Sequence, residues 1–537
     1  MTRGKRRAMA AALAATTALA GGVLESTGSA SGPGPLDLTP VPAANTKSLG
    51  YAPPNLLSPE LIASPVAQGS VKLENGTAAI PFYGYDGDGP MVPPAGGGPE
   101  ATKTEPDKNT YLVLGGRHFL YQGHENSGPA ASGYITRIDL DTHRVALLAD
   151  HDSRGKPLPN FDGSTWDPFA RRLLFTAEDV MSGGVWQATP DVHSTVDDMA
   201  GSIGRGGYEG IQNDSDGNLW IVEDVGGKAG TANPHAKQPN SFVYRFRPRR
   251  RDDLSAGKLQ ALQVTSLRTG QPIVFHDGQP DADITSPDTQ DLHTYGHVFR
   301  TRWITIHDTS TDGTQPFHAN ALAKTAGATP FKRPENGVFK PGSDFTRFYF
   351  TETGDTNAQT EAAPNGGGFG GVQELRQASP SADSGTLRLF YKGDLAHTGL
   401  DNIQFASRDA LAVVEDAGDA LHTQRNALDS GYLLSTQVDY SAAGAPSPLR
   451  WLAEGRDPSA TIDSGLSGSP GFHNDGDNEI TGIHVSDGDP TARGILGARI
   501  PELFRAGGRH GSGWRAFWTQ QHGDNYTWEL LPARDRR

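Results

Sequence analysis

Four apolar segments that each close on carboxylates, many short strands divided by Gly-, Asn- and Asp-rich turns, and no long amphipathic helical stretch predict an all-β chain. The same observations point to a β-propeller of about six blades, with long loop insertions and a flexible N-terminal arm. The four segments are Leu173-Leu174-Phe175-Thr176-Ala177-Glu178-Asp179, Leu219-Trp220-Ile221-Val222-Glu223-Asp224, Phe348-Tyr349-Phe350-Thr351-Glu352-Thr353-Gly354-Asp355 and Leu411-Ala412-Val413-Val414-Glu415-Asp416. An apolar strand that repeatedly delivers an acid to its end is a repeated unit. In a radial fold equivalent strand ends sit around one axis, so acids from different blades converge, and converging acids need cations.

Bulk composition agrees. The chain has 537 residues, with 67 Gly, 38 Pro and only 35% hydrophobic residues. That is long for one ordinary domain of ~100–200 residues. It suits a turn-rich β architecture with several small inter-sheet cores.

Taken from the N-terminus, residues 1–30 read as an export signal. Arg3, Lys5, Arg6 and Arg7 form a basic region, an apolar run follows from Ala8 to Ala20, and Ala18-Leu19-Ala20 suits signal peptidase. The Arg6-Arg7 pair admits a twin-arginine route, although the usual Phe-Leu after the pair is absent. The expectation is a secreted protein, and no apolar stretch reaches the ~18 residues of a membrane span. Residues 31–105, rich in Pro, Gly, Ala and Ser, read as an arm, with Val71 to Phe82 able to pair with the main body.

Residues 106–537 read as the propeller. Strands are expected at 111–115, 133–139, 144–149, 172–177, 184–188, 218–223, 241–247, 258–264, 346–351, 371–376, 386–392, 410–415, 431–436, 480–485 and 515–520. The stretch 265–330 reads as one long functional or mobile loop with a helix near Asn320–Ala326.

Charge and cysteine content narrow the function. The formal net charge is −15, so nucleic acid and anionic membranes are not expected partners, whereas cations are. There is no cysteine, which rules out disulfides and thiolate metal ligands alike. An exported chain without disulfides must be held by its sheets and by bound ions.

The candidate acids fall into two groups. Glu178, Glu223, Asp224, Glu352, Glu415 and Asp416 close strands. Glu125, Glu209, Glu335 and Asp401 open the strand unit, in Gly123-His124-Glu125, Tyr208-Glu209-Gly210, Arg333-Pro334-Glu335 and Asp401-Asn402. Hard oxygen donors select calcium, magnesium or manganese, or ferric iron where geometry permits. The turns 213–218 and 474–479 look like calcium loops without completing the EF-hand pattern, and the first reads as an ordinary hairpin turn. His276, His293, His297, His307 and His318 lack zinc-site spacing, and no serine sits in a Gly-x-Ser-x-Gly elbow.

In order, Gln122-Gly123-His124-Glu125, Thr165-Trp166-Asp167-Pro168, Tyr208-Glu209-Gly210, Ser241 to Pro248, Phe331-Lys332-Arg333-Pro334-Glu335, Leu400-Asp401-Asn402, Asn478 to Gly482 and Thr519 to Asp524 resemble the PhoX-type alkaline phosphatases, secreted β-propeller phosphoesterases. The resemblance spans about residues 110–530. It implies a mixed iron–calcium cluster held by Glu125, Glu209, Glu335 and Asp401, with Arg333 facing a phosphate. Two departures matter. The family's iron-binding cysteine before Thr165-Trp166 is missing, and Tyr208 stands where the family has histidine. Asp162 replaces the thiolate with a harder oxygen, which favours calcium over iron.

The resulting expectation is a monomeric, metal-dependent phosphatase acting on a small-molecule phosphate ester. Two other classes stand beside it: a calcium-dependent propeller hydrolase of lactones or other esters, and a non-catalytic, calcium-stabilised extracellular binding propeller. The number of arginines facing the channel separates the first two, because phosphate needs cationic partners and a lactone needs an apolar pocket. Arg205, Arg333 and Arg347 are the candidates. Alternation along a strand would give Arg333 and Glu335 one common face, with Pro334 turned away.

Overall fold

Strand pairing groups the chain into antiparallel meanders that succeed one another around an axis, the arrangement of a β-propeller. The computed structural model describes residues 38–47, 54–86, 102–126, 132–361, 365–455, 478–501, 503, 513–522 and 525–533, all within the unit Pro35–Arg537. The expected export signal and most of the Asp-rich turn at 474–479 lie outside the described residues.

The first meander is Thr102–Leu114, Arg117–Asn126, Tyr134–Asp139 and Arg144–Ala149. The second is Ser164–Asp167, Arg172–Ala177, Gly184–Ala188 and Val196–Asp198. The third is Tyr208–Asn213, Leu219–Glu223, Val243–Arg250 and Asp253–Val264. The fourth is Gly337–Phe339, Arg347–Glu352, Gly371–Gln377 and Ser384–Lys392. The strand Phe299–Asp308 lies between the outer strands of the third and fourth and joins them into one nine-stranded sheet. The fifth is Leu400–Phe405, Ala410–Glu415, Ser430–Ser435 and Leu449–Ala453. The sixth is Glu479–Ser486, Arg515–Gln521 and Tyr526–Pro532, completed by Leu61–Ala67 from the far end of the chain. Innermost strands neighbour one another in sequence order, and that of the sixth lies against that of the first.

The meanders stack face to face, and a separate apolar cluster fills each junction. Alternation along the second strands explains how. Trp220 and Val222 face the fourth meander, while Leu219 and Ile221 face the second. Phe348 and Phe350 face the third, while Tyr349 faces the fifth. Both faces of these strands are buried, so they read as unbroken apolar runs rather than alternating ones. Trp220 shows the packing: it meets Trp303 at 5.2 Å and 87°, and Phe339 at 5.1 Å and 82°. Burying each such ring contributes roughly 1.5–3 kcal/mol.

Two outcomes differ from the sequence expectation, the built-in arm and a strand within 265–330. The stretch read as an arm is partly built in: Leu56–Leu57 borders the fifth meander and Leu61–Ala67 the sixth. Val71 and Phe82 do fold onto the main body, with a Lys72–Phe82 bridge and the Glu74 N–H donating to the Val145 carbonyl. The region 265–330 holds Phe299–Asp308, a missed strand, together with the expected helix at Ala319–Ala326.

One buried carboxylate carries an expected result of its own. Glu374 lies at the junction of the fourth and fifth meanders. It is fully buried and receives the guanidinium groups of Arg347, Arg376 and Arg388 as well as the Tyr349 hydroxyl. Burial opposes its charge, but the three guanidiniums prevail and hold its pKa down at about 2. Its stabilising effect is therefore present above the ordinary carboxylate range and is lost as pH falls toward 2. Glu374→Gln is expected to cost about 2–3 kcal/mol near neutrality, less than a fully buried pair because the arginines keep solvent contact. Denaturant melts at pH 7 and pH 3 check this, since the difference from wild type should shrink at the lower pH.

Candidate functional site

Each meander brings two residues to the axis. One lies in or just before the innermost strand and the other at or just past the end of the second strand. The pairs are Asp107 and Glu125, Asp162 and Glu178, Glu209 and Asp224, Glu335 and Thr353, Asp401 and Asp416, and Thr481 and His522, and all twelve line one cavity of about 380 Å³.

Local backbone explains the aim of the inner residues. In four meanders the pairing register slips at this point, between Pro106 and Asn109, Tyr208 and Ile211, Leu400 and Ile403, and Ile480 and Gly482. An extra residue in one strand bends it and re-aims a side chain, here Asp107, Glu209, Asp401 and Thr481. Asp162 and Glu335 sit just before their inner strands instead. Backbone carbonyls at these positions are tied sideways. The hydroxyls of Thr176, Thr351 and Thr519, each on a second strand, donate to the carbonyls of Glu209, Asp401 and Asp107 in the next meander. Hence the acids are held by the joints between sheets, not by loops.

The strand-closing Glu-Asp pairs divide their labour by alternation. Glu223 is turned into its own sheet, where it accepts from the Phe242 N–H, the Tyr244 hydroxyl and Asn320. Its neighbour Asp224 faces the cavity. Glu415 is likewise taken by Arg425 and the Ser430 N–H, leaving Asp416 for the cavity. Glu352 accepts from the Lys332 N–H and Gln373, with His293 at 3.3 Å.

All six residues singled out in the sequence, Glu125, Asp162, Glu209, Arg333, Glu335 and Asp401, line this one cavity. Three of the strand-closing candidate acids, Glu178, Asp224 and Asp416, join them, and so do four residues that the sequence did not single out as candidate ligands: Glu105, Asp107, Glu479 and His522. Arg205 and Arg347 do not. Arg205 pairs with Asp198 and lies over Trp186, and Arg347 belongs to Glu374. Among the described residues Arg333 is the only arginine of the lining.

Arg333 and Glu335 meet in a different way from that expected. Arg333 precedes the strand and has φ 56°, a left-handed conformation, so strand alternation does not apply. The turn is held by the Thr353 and Gly354 N–H groups, which donate to the carbonyls of Arg333 and Lys332. The guanidinium then forks onto Asp224, with Nε 2.9 Å from both oxygens and Nη2 at 2.5 Å, and lies 3.3 Å from Glu335.

Among the described residues eleven carboxylates share this space with one arginine and one histidine. Burial, reinforced by neighbouring carboxylates, pushes the pKa values of Glu125, Asp162, Glu209, Glu335 and Asp401 well above the ordinary range. Burial and Asp429 raise Asp416 to about 7. Beside them Lys108 is fully buried and donates to Asn336 Oδ1 at 2.7 Å. Burial lowers its pKa to about 8, against the pull of Asp401, Asp107 and Glu209.

The residues fit a hard divalent cation. Glu125, Asp162 and Glu178 can present oxygens all within 4.8 Å of one another, and so can Glu178, Glu209 and Asp224. Asp162 Oδ2 is buried and accepts no hydrogen bond, which is costly for an ionised carboxylate unless a cation meets it, a proton being the alternative. The Asp214 turn is no such site. Its carboxylate is satisfied by the Asp216 and Asn218 N–H groups, the Asn218 amide and the Trp220 indole, as an ordinary hairpin turn requires. The five histidines of 276–318 do not assemble; His276 pairs with Asp283 and His307 stacks on Phe317.

Glu178 belongs to both triads, so it is the joint between them. If calcium fills both triads, Glu178→Gln is expected to remove about twice as much of it as Glu125→Gln, because the latter opens one triad only. Elemental analysis of the two variants against wild type decides it, and equal losses would break the shared-corner assignment.

No family model matches the chain, and no curated protein matches it. Solved structures are similar in fold only. A protein described as an oxidoreductase (glucose dehydrogenase) from Thermus thermophilus is 12% identical, with 88% of this chain and 100% of that one covered and a TM-score of 0.34. Sqt1 from Chaetomium thermophilum is 10% identical over 81% and 97%, with a TM-score of 0.34. A glycosyl hydrolase from Bacteroides ovatus is 9% identical over 87% and 96%, with a TM-score of 0.29. Likeness at this level carries nothing about chemistry, which rests on the cavity itself.

Proposed function

We propose that the protein is a secreted, calcium-dependent phosphomonoesterase of the PhoX-like kind that its sequence resembles. The observation that carries this reading is the guanidinium of Arg333 set, among the described residues, within eleven carboxylates. The two triads around Glu178 would hold calcium, and Glu335 and Asp401 would complete the oxygen shell. Bound cations would supply charge neutralisation, polarisation of a phosphoryl oxygen and a lowered pKa for water.

The chain's own groups do the rest. The Asp224 fork fixes the guanidinium plane of Arg333, so its entropy is spent before substrate arrives. A planar, fixed guanidinium matches two phosphoryl oxygens. Lys108 adds a buried positive charge that interacts with Asp401, Asp107 and Glu209. A phosphate dianion would be repelled by an uncompensated acid cavity, so turnover depends on cations in this reading. The lactone alternative fares worse, because Ala417 is the one apolar side chain of the lining among the described residues.

The test is an assay of purified protein on a chromogenic phosphate monoester, after chelation and again after calcium is restored, beside a lactone panel. Turnover should vanish on chelation and return with calcium. Turnover that ignores metals would defeat the reading. No turnover in any metal, with calcium bound, would leave a calcium-stabilised binding propeller.

A further inference from the structure

We propose that a second cleft, on the outer side of the fourth and fifth meanders, binds a short neutral oligosaccharide. It shares no lining residue with the axial cavity and is about twice its size, about 770 Å³. That volume lies within the ~300–1,000 Å³ of small-molecule sites.

The cleft is built around rings. Tyr391, at the end of the strand Ser384–Lys392, and Tyr440 meet at 5.2 Å and 83°, and Phe369 and Tyr295 add two more walls. The hydroxyls of two of the three tyrosines are pinned rather than loose. Tyr440 Oη accepts from the Ser435 N–H at 2.9 Å, and Tyr295 Oη accepts from the Lys392 N–H at 2.7 Å. The rings are therefore set before any ligand arrives, and a preset aromatic surface binds at little entropic cost.

Charge selects the occupant. Among the described residues the lining carries two carboxylates, Glu361 and Asp394, against one ammonium, Lys392, which already donates to Asn365 Oδ1 at 2.5 Å, and one imidazole, His397, paired with Asp394 at 3.0 Å. An anionic ligand finds no surplus of positive charge there. A purely apolar ligand would strip water from the charged heads of Asp394 and Lys392 and offer them no hydrogen bond beyond those they already make to His397 and Asn365. A neutral polyhydroxylated chain satisfies both kinds of wall. Its C–H faces lie on the electron-rich ring faces, and its hydroxyls serve the carboxylates as donors and the ammonium and amide as acceptors.

The experiment is titration calorimetry of the calcium-loaded full chain with unbranched neutral hexasaccharides of glucose, xylose and mannose, with hexagalacturonate as the charged control. At least one neutral hexamer should bind. Phe369→Ala and Tyr440→Ala should each weaken it about tenfold or more, and Asp394→Asn severalfold, while turnover of the phosphate ester stays at the wild-type level. The Asp394 side chain is 62% exposed, so its amide variant keeps a reading available if a ring variant fails to fold. Absence of heat with every neutral hexamer, binding that all three variants leave intact, or tighter binding of hexagalacturonate would each overturn the proposal.

Discussion

Stripping the protein of divalent cations should lower its melting temperature by roughly 10 °C at pH 8, the equivalent of two well-filled sites at ~3–4 kcal/mol each. The loss should be much smaller at pH 5. The cause is the acid cavity. Burial and mutual repulsion raise the pKa values of Glu125, Asp162, Glu209, Glu335 and Asp401 above their unfolded values. For a group raised in this way, the stabilising contribution is fully present below the unfolded pKa of about 4 and is lost as pH rises through the folded value. Asp416, raised to about 7, marks one point in that window. The metal-free protein should therefore melt higher at pH 5 than at pH 8. Calcium acts in the opposite sense, because it displaces the same protons and binds better as pH rises. Thermal melts with chelator and with calcium at both values test this. Identical melting temperatures at pH 5 and pH 8 in chelator, or no response to calcium at pH 8, would show that the carboxylates are not a cation site.

Arg333→Lys should reduce kcat/KM on a phosphate monoester by roughly 10–100-fold, or ~1.4–2.8 kcal/mol of transition-state stabilisation. Lysine keeps the charge but offers a point in place of a fork, so it cannot hold Asp224 and face two phosphoryl oxygens together. The backbone strain at φ 56° is common to both residues and cancels in the comparison. Calcium content should not change, because arginine is not a ligand. Steady-state kinetics with parallel elemental analysis separate the roles. Wild-type kinetics would remove Arg333 from the reaction, and lost calcium would show that it supports the triads instead.

Most second strands were legible because both of their faces are buried. Leu173-Leu174-Phe175 and Leu219-Trp220-Ile221-Val222 serve one apolar junction with odd residues and another with even ones, which leaves an unbroken apolar run. Four innermost strands were missed for the opposite reason. Tyr208–Asn213 and Leu400–Phe405 turn Glu209, Gln212, Asp401 and Gln404 toward buried polar surroundings, and their pairing slips at the acid. A strand that is polar, broken and short has no period-2 signature. The acids themselves were still found, because a recurring offset in sequence survives where strand character does not. Asp107 and Lys108 escaped. They sit inside the thirteen-residue strand Thr102–Leu114, whose first half looks like linker. Likewise nothing in Arg333-Pro334-Glu335 announces a left-handed backbone at a non-glycine residue.

The sheet shared by Leu61–Ala67 and Tyr526–Pro532 sets a timetable for the molecule. The earlier strand leaves the ribosome more than four hundred residues before its partner exists. Until then it is an unpaired edge, a template for pairing with other chains. A chain halted short of Tyr526 and a chain clipped beyond Ala67 therefore each present a raw edge in the same sheet, although the losses lie at opposite ends. Quality control that recognises exposed strand edges would treat the two alike, and release from it would mark the moment at which the ring becomes a single closed object.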